Sequence, residues 1–82
     1  MQPKLGKIYS LKRESVDTFR SVLEYSLYYE HVTTIEKGCY CLFLDFNIPK
    51  KLKYSVEVCL LTLDGKIGWA FYKEDDWTEV CL

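Results

Sequence analysis

From residue 39 onward apolar side chains fall on both sides of any strand one draws, and short polar turns cut the run into strand-length pieces. Cys39 to Phe46 reads as a strand that stops at Asn47-Ile48-Pro49-Lys50-Lys51, because proline cannot donate to a central ladder. Tyr54 to Leu63 is the next strand, Lys66 to Tyr72 its partner, and Trp77 to Leu82 a closing strand after the polar turn Lys73-Glu74-Asp75-Asp76. Upstream, Lys4 to Arg13 sets Ile8 and Ser10 against Tyr9 and Leu11, a short first strand punctuated by Gly6. Between them, Ser15 suits a helix N-cap and Asp17 the positive end of a helix dipole. Val16, Phe19, Leu23 and Leu27 follow at spacings of three and four, and Arg20 with Glu24 forms an i,i+4 pair, which predicts an amphipathic helix inserted at 15–29. Beyond Tyr25 the chain turns aromatic and β-branched, so the end of that helix stays open. The class expected is α+β, mainly β with one helix.

Asp64-Gly65 is a strong hairpin signal for a two-residue type I′ turn. That turn pairs Leu63 with Lys66, Thr62 with Ile67, Leu60 with Trp69 and Val58 with Phe71. Leu60 and Trp69 then share one apolar face, extended by Tyr40, Leu42 and Leu44. The other face carries Cys39, Cys41, Phe43, Glu57, Cys59, Leu61, Ala70 and Tyr72. Neither face suits water, so each needs a cover: the helix, the termini or a partner.

An 82-residue chain is read as one domain, 1–82, that buries only ~60% of its unfolded surface. Hydrophobic residues make up 49% and aromatics 16%, enough for a packed core without metals or staples. A formal charge of -1 supplies no global field for nucleic acid or anionic membrane. The first thirteen residues lack the apolar run of a secretory signal, and no apolar stretch has the ~18 residues of a membrane span. A cytoplasmic protein is expected, with Cys39, Cys41, Cys59 and Cys81 as free thiols.

Gly6-Lys7-Ile8-Tyr9-Ser10-Leu11-Lys12, Lys37-Gly38-Cys39-Tyr40-Cys41-Leu42-Phe43-Leu44, Asp64-Gly65-Lys66-Ile67-Gly68-Trp69 and Asp76-Trp77-Thr78-Glu79-Val80 together resemble small Src-homology-3-like barrels encoded by bacteriophages. The resemblance covers Lys4 to Arg13 and Glu36 to Leu82, and is one of shape. It implies a small SH3-like barrel of about five short antiparallel strands, with the helix inserted where such folds carry a long first loop. It also implies a viral protein acting in the host cytoplasm. Ala70-Phe71-Tyr72 follows Gly68-Trp69 where signalling members carry Pro-x-Asn-Tyr, so proline-peptide binding is not implied.

Candidate chemistry is sparse. Cys39, Cys41 and Cys59 come closest to a metal site, with Cys41 set opposite Cys59 by the expected register, but strand thiols at this spacing read as small core residues. No metal, cofactor or disulfide is expected. His31 beside Glu30 lacks a nucleophile and an orienting carboxylate, so no enzyme activity is expected. Lys50, Lys51 and Lys53 read as a solvated loop tip, making nucleic acid an unfavoured partner. Tyr25, Tyr28, Tyr29 and Tyr40 offer stacking surface for a small ligand or nucleotide, the basis of an alternative as a sequestering, oligomeric protein.

The favoured reading is a non-enzymatic protein-binding accessory domain. Its partner-binding residues are expected to be Trp69, Tyr72 and Trp77 as aromatic anchors, with Glu74, Asp75 and Asp76 as an acidic rim for a basic partner surface, the alternative being that Trp77 plugs the barrel end and the acids only solvate a turn.

Overall fold

A computed structural model describes residues 3–21, 30–48 and 56–81. These residues build one seven-stranded antiparallel sheet from β1 (Ile8–Leu11), β2 (Ser15–Phe19), β3 (His31–Glu36), β4 (Tyr40–Asn47), β5 (Val56–Thr62), β6 (Ile67–Tyr72) and β7 (Trp77–Glu79). The spatial order is β3-β2-β6-β5-β4-β1-β7. A single 3-10 turn, Glu74–Asp76, precedes β7, and the described residues contain no α-helix.

The expected class, five strands with an inserted helix, is therefore corrected to an almost entirely β domain with an open sheet of seven strands. The expected helix start is β2, paired with β3 from Ser15↔Glu36 to Thr18↔Thr33. Val16 and Thr18 turn inward while Ser15, Asp17 and Phe19 face out, a period of two in which Val16 and Phe19 share no face, unlike the single stripe a helix would give them. The rest of the expected helix, 22–29, lies outside the described residues.

The hairpin register is also corrected. Leu61 pairs with Ile67, Leu60 with Gly68, Cys59 with Trp69 and Val58 with Ala70, one residue away from the two-residue turn. The loop is Leu63-Asp64-Gly65, with Gly65 alone at positive φ (+85°) and Asp64 in ordinary backbone geometry. Thr62 drives this choice. Its N–H donates to Lys66 O (2.9 Å), its carbonyl accepts from Gly65 N–H (3.1 Å), and its hydroxyl accepts from Lys66 N–H (3.0 Å) while donating to the Asp64 carboxylate. A three-residue loop with glycine in the left-handed position is the next hairpin solution after type I′. Because strand side chains alternate, the one-residue slip sends Leu60 and Trp69 to opposite faces.

The inner face closes on Phe43, which is fully buried. Tyr9 from β1 stacks on it at 4.1 Å between centroids, and Trp77 from β7 and Tyr72 from β6 meet it edge-on at 5.1 and 5.9 Å. Leu11, Cys41, Val58, Leu60 and Ala70 complete that core together with Ile35. Ile35 lies on one terminal strand of the sheet and Trp77 on the other, so the sheet curls until both edges serve a single interior. A bulge at Leu44 re-aims β4, putting Phe46 beside Val58 while Leu44 faces solvent.

Candidate functional site

The outer face is not polar. Val80 N–H donates to Ile8 O (2.8 Å), Ile8 pairs with Leu42, Leu42 with Leu61, and Leu61 with Ile67. Strand alternation puts all five side chains away from the core, so an aliphatic row crosses the sheet from the end of β7 to β6. Ile67 is 56% exposed and the other four are half-buried.

Beside this row a ridge rises from Tyr40, at the start of β4, and Leu63, which at the hairpin tip is 83% exposed. A cleft of about 280 Å³ lies on the row's side of the ridge, over Ile8, Leu42 and Leu61. A second of about 300 Å³ lies on the β3 side, over Ile35 and Cys41, with Glu36 and Asp64 on its walls. Row and ridge together form one continuous apolar surface on the outer face. The Thr62 hydroxyl, with Lys66 behind it, holds the exposed Asp64 carboxyl below its usual range, so Asp64 is ionised at neutral pH.

The six residues expected to bind a partner do not form one surface. Trp77 is 4% exposed and fills the core, and Tyr72 packs against the same Phe43. Trp69 lies on the opposite face, next to Cys59 and Phe19. Glu74 and Asp75 are exposed on the 3-10 turn, and Asp76 is half-buried with its carboxylate 3.6 Å from Arg13. Trp69 and Tyr72, three apart on β6, fall on opposite faces whatever the register, and Trp77 is drawn into the core where β7 pairs with β1. The aliphatic row was missed because the expected hairpin register put Leu42 and Leu61 on different faces, whereas they pair. Thr62, two residues before Asp64 and able to bond the Lys66 amide, was the signal for the longer loop.

The thiols are separated as well. Cys41 faces inward opposite Thr62, while Cys59 faces outward opposite Asp45, and all four cysteines are free. Burial, with Cys39 nearby, pushes the Cys41 thiol up to about 12, and burial raises Cys59 too. Neither is disposed to act as a nucleophile. Among the described residues no group of three or more His, Cys, Asp or Glu is placed to hold a metal ion. His31 lies on the exposed face of β3, its Nε2 3.0 Å from Thr34 Oγ1 and 3.5 Å from Asp17, while Glu30 pairs with Arg20 at 3.4 Å. Lys50, Lys51, Lys53, Tyr25, Tyr28 and Tyr29 lie outside the described residues. Among the described residues no helix is long and apolar enough to cross a membrane.

Compared with known proteins, the chain matches no family model, no curated protein and no solved structure.

Proposed function

We propose that this chain is a non-enzymatic accessory domain that works by docking on another protein. One observation supports this above others: the row Val80, Ile8, Leu42, Leu61 and Ile67 on the outer face, continuous with the Tyr40–Leu63 ridge. Leaving such a row in water forfeits ~25 cal/mol for each Å² of apolar area that a partner would cover. It gives no directional chemistry, only shape and desolvation, which suits association rather than catalysis. Glu74 and Asp75 lie outside the row and serve, in this reading, for steering toward a basic surface. The sequence resemblance to small phage-encoded proteins goes with this proposal and implies a partner in an infected host cell.

The test is affinity capture with the intact chain, run beside a Leu61→Asp/Ile67→Asp variant and a Glu74→Ala/Asp75→Ala variant, with sedimentation of each. A partner retained by the wild type and lost by the first variant alone supports the reading. Capture indifferent to Leu61 and Ile67 overturns it, and so does a wild-type homo-oligomer that the first variant splits into monomers.

A further inference from the structure

β3 ends the strand order, so among the described residues it is paired on one flank only. The hydrogen bonds show which groups face the other flank. Thr33 N–H donates to the Thr18 hydroxyl (3.2 Å), that hydroxyl donates to Thr33 O (3.0 Å), and Lys37 N–H donates to Glu14 O (3.0 Å). Residues 33, 35 and 37 therefore turn their backbone toward β2, and alternation turns Thr34 and Glu36 away. Glu36 O accepts from Cys39 N–H (3.1 Å), which leaves Thr34 N–H, Thr34 C=O and Glu36 N–H on the free flank.

β3 is bulged at Val32, where the register passes from Thr18↔Thr33 to Phe19↔His31, but from Thr33 to Glu36 its edge is regular and Glu36 is the one charge on it. Its sequence, His31-Val32-Thr33-Thr34-Ile35-Glu36, holds no proline and no lysine, and four of the six residues are β-branched. The opposite edge, β7, is only three residues long. Along the free flank of β3, past Thr33 to Glu36, runs the 300 Å³ cleft over Ile35 and Cys41. Charge is distributed by face. Glu36 makes no ion pair among the described residues and points outward with Thr34, beside Asp17 on β2, whereas Ile35 turns into the core and floors the cleft.

We propose that β3 accepts an extended segment of a partner protein as an added antiparallel strand, with an apolar side chain entering the cleft over Ile35 and Cys41 and lysine or arginine at the alternating positions beside Glu36. Main-chain hydrogen bonds to Thr34 and Glu36 supply affinity, and the period of two supplies specificity. This inference takes its partner class from the docking reading but uses a surface separate from the aliphatic row.

The experiment is an NMR titration of the intact chain, with amide exchange, using three capped seven-residue peptides. One alternates lysine and valine, one alternates glutamate and valine, and the third is the lysine peptide N-methylated at alternate amides. The lysine peptide is expected to slow exchange at Thr34 and Glu36 by about tenfold or more at saturation. The glutamate peptide, or Glu36→Lys in the protein, weakens binding by about two- to fivefold for each opposed charge, N-methylation abolishes it, and Leu61→Asp leaves it unchanged. An N-methylated peptide that binds as tightly as its parent, or protection that appears away from Thr34 and Glu36, overturns the proposal. If neither unmodified peptide binds while capture of a protein still depends on Leu61, strand addition fails and the docking reading stands.

Discussion

Gly68 and Thr18 claim the same space from neighbouring strands: a Cβ on Gly68 would lie 2.8 Å from both Cβ and Oγ1 of Thr18 and 3.4 Å from Phe19 O. Thr18 is fully buried, and its hydroxyl closes the ladder where β2 and β3 slip register, bonding both polar backbone groups of Thr33. Glycine at 68 is thus set by approach. Gly68→Ala is expected to destabilise the fold by about 1–3 kcal/mol. Thr18→Val, which keeps the shape but strands two half-buried backbone groups of Thr33, costs about 1 kcal/mol. Urea unfolding of each variant checks both, and a neutral Gly68→Ala contradicts the packing described.

Gly65 is constrained differently. A Cβ there meets nothing within 4 Å, but φ is +85°. Gly65→Ala is expected to cost about 1 kcal/mol through backbone conformation alone, without change elsewhere in the sheet. Comparing amide spectra of the two glycine variants distinguishes the mechanisms, since only Gly68→Ala should shift resonances around Thr18.

At the same turn, Asp64 provides a pH dependence. The Thr62 hydroxyl and then Lys66 hold its carboxyl below the usual range, so folding depresses the pKa. The stabilisation is present above the unfolded value of about 4 and is lost as pH falls through the folded one. Thr62→Val removes the principal cause, and the Asp64 titration midpoint followed by carboxyl NMR is expected to move up. An unmoved midpoint contradicts the assignment.

Trp77 presents a buried donor problem. Its ring packs on Phe43, yet among the described residues its Nε1–H has no acceptor. Trp77→Phe loses ring area but also removes that donor, whose burial costs about 1–3 kcal/mol. The two effects oppose, so this variant is expected within about 1 kcal/mol of wild type. Phe43→Ala, with no such compensation, is expected to cost about 3–5 kcal/mol. Thermal melts order the pair.

The thiols set an alkaline limit. Cys41 is raised to about 12 by burial, above its unfolded value near 9. Stability from the buried neutral thiol is therefore complete below pH 9 and declines as pH rises from 9 toward 12. Cys41→Val is expected to flatten that part of the stability profile. In the native protein, iodoacetamide at pH 8 should modify the exposed Cys39 and Cys81 well ahead of Cys41 and Cys59.

Strand positions in the second half of the chain were legible because turn residues bracket them: Tyr40–Asn47, Val56–Thr62 and Ile67–Tyr72 fall within a residue or two of the boundaries that Gly38, Pro49 and Asp64-Gly65 suggest. Their facing was not legible. Side-chain direction depends on whether one or two residues precede Gly65 in the loop, and that was decided by the Thr62 hydroxyl bonding the Lys66 amide. β2 was misread because Val16 and Phe19, three apart, were counted as one helical stripe, whereas Val16 packs against the core and Phe19 faces out beside Trp69. The candidate site inherited both difficulties. Its acidic members were visible in Lys73-Glu74-Asp75-Asp76, while Ile8, Leu42, Leu61 and Ile67 become neighbours only once four separate strands are laid in register.

β1 lies between β4 and β7, so Leu11 finds Trp77 across a ladder although most of the chain separates them. During synthesis β1 must wait for β7 before its second flank is satisfied. Closing that span costs loop entropy before the pairing offsets it, so this topology is expected to fold slowly, with Tyr9 and Phe43 uncovered until β7 docks on β1.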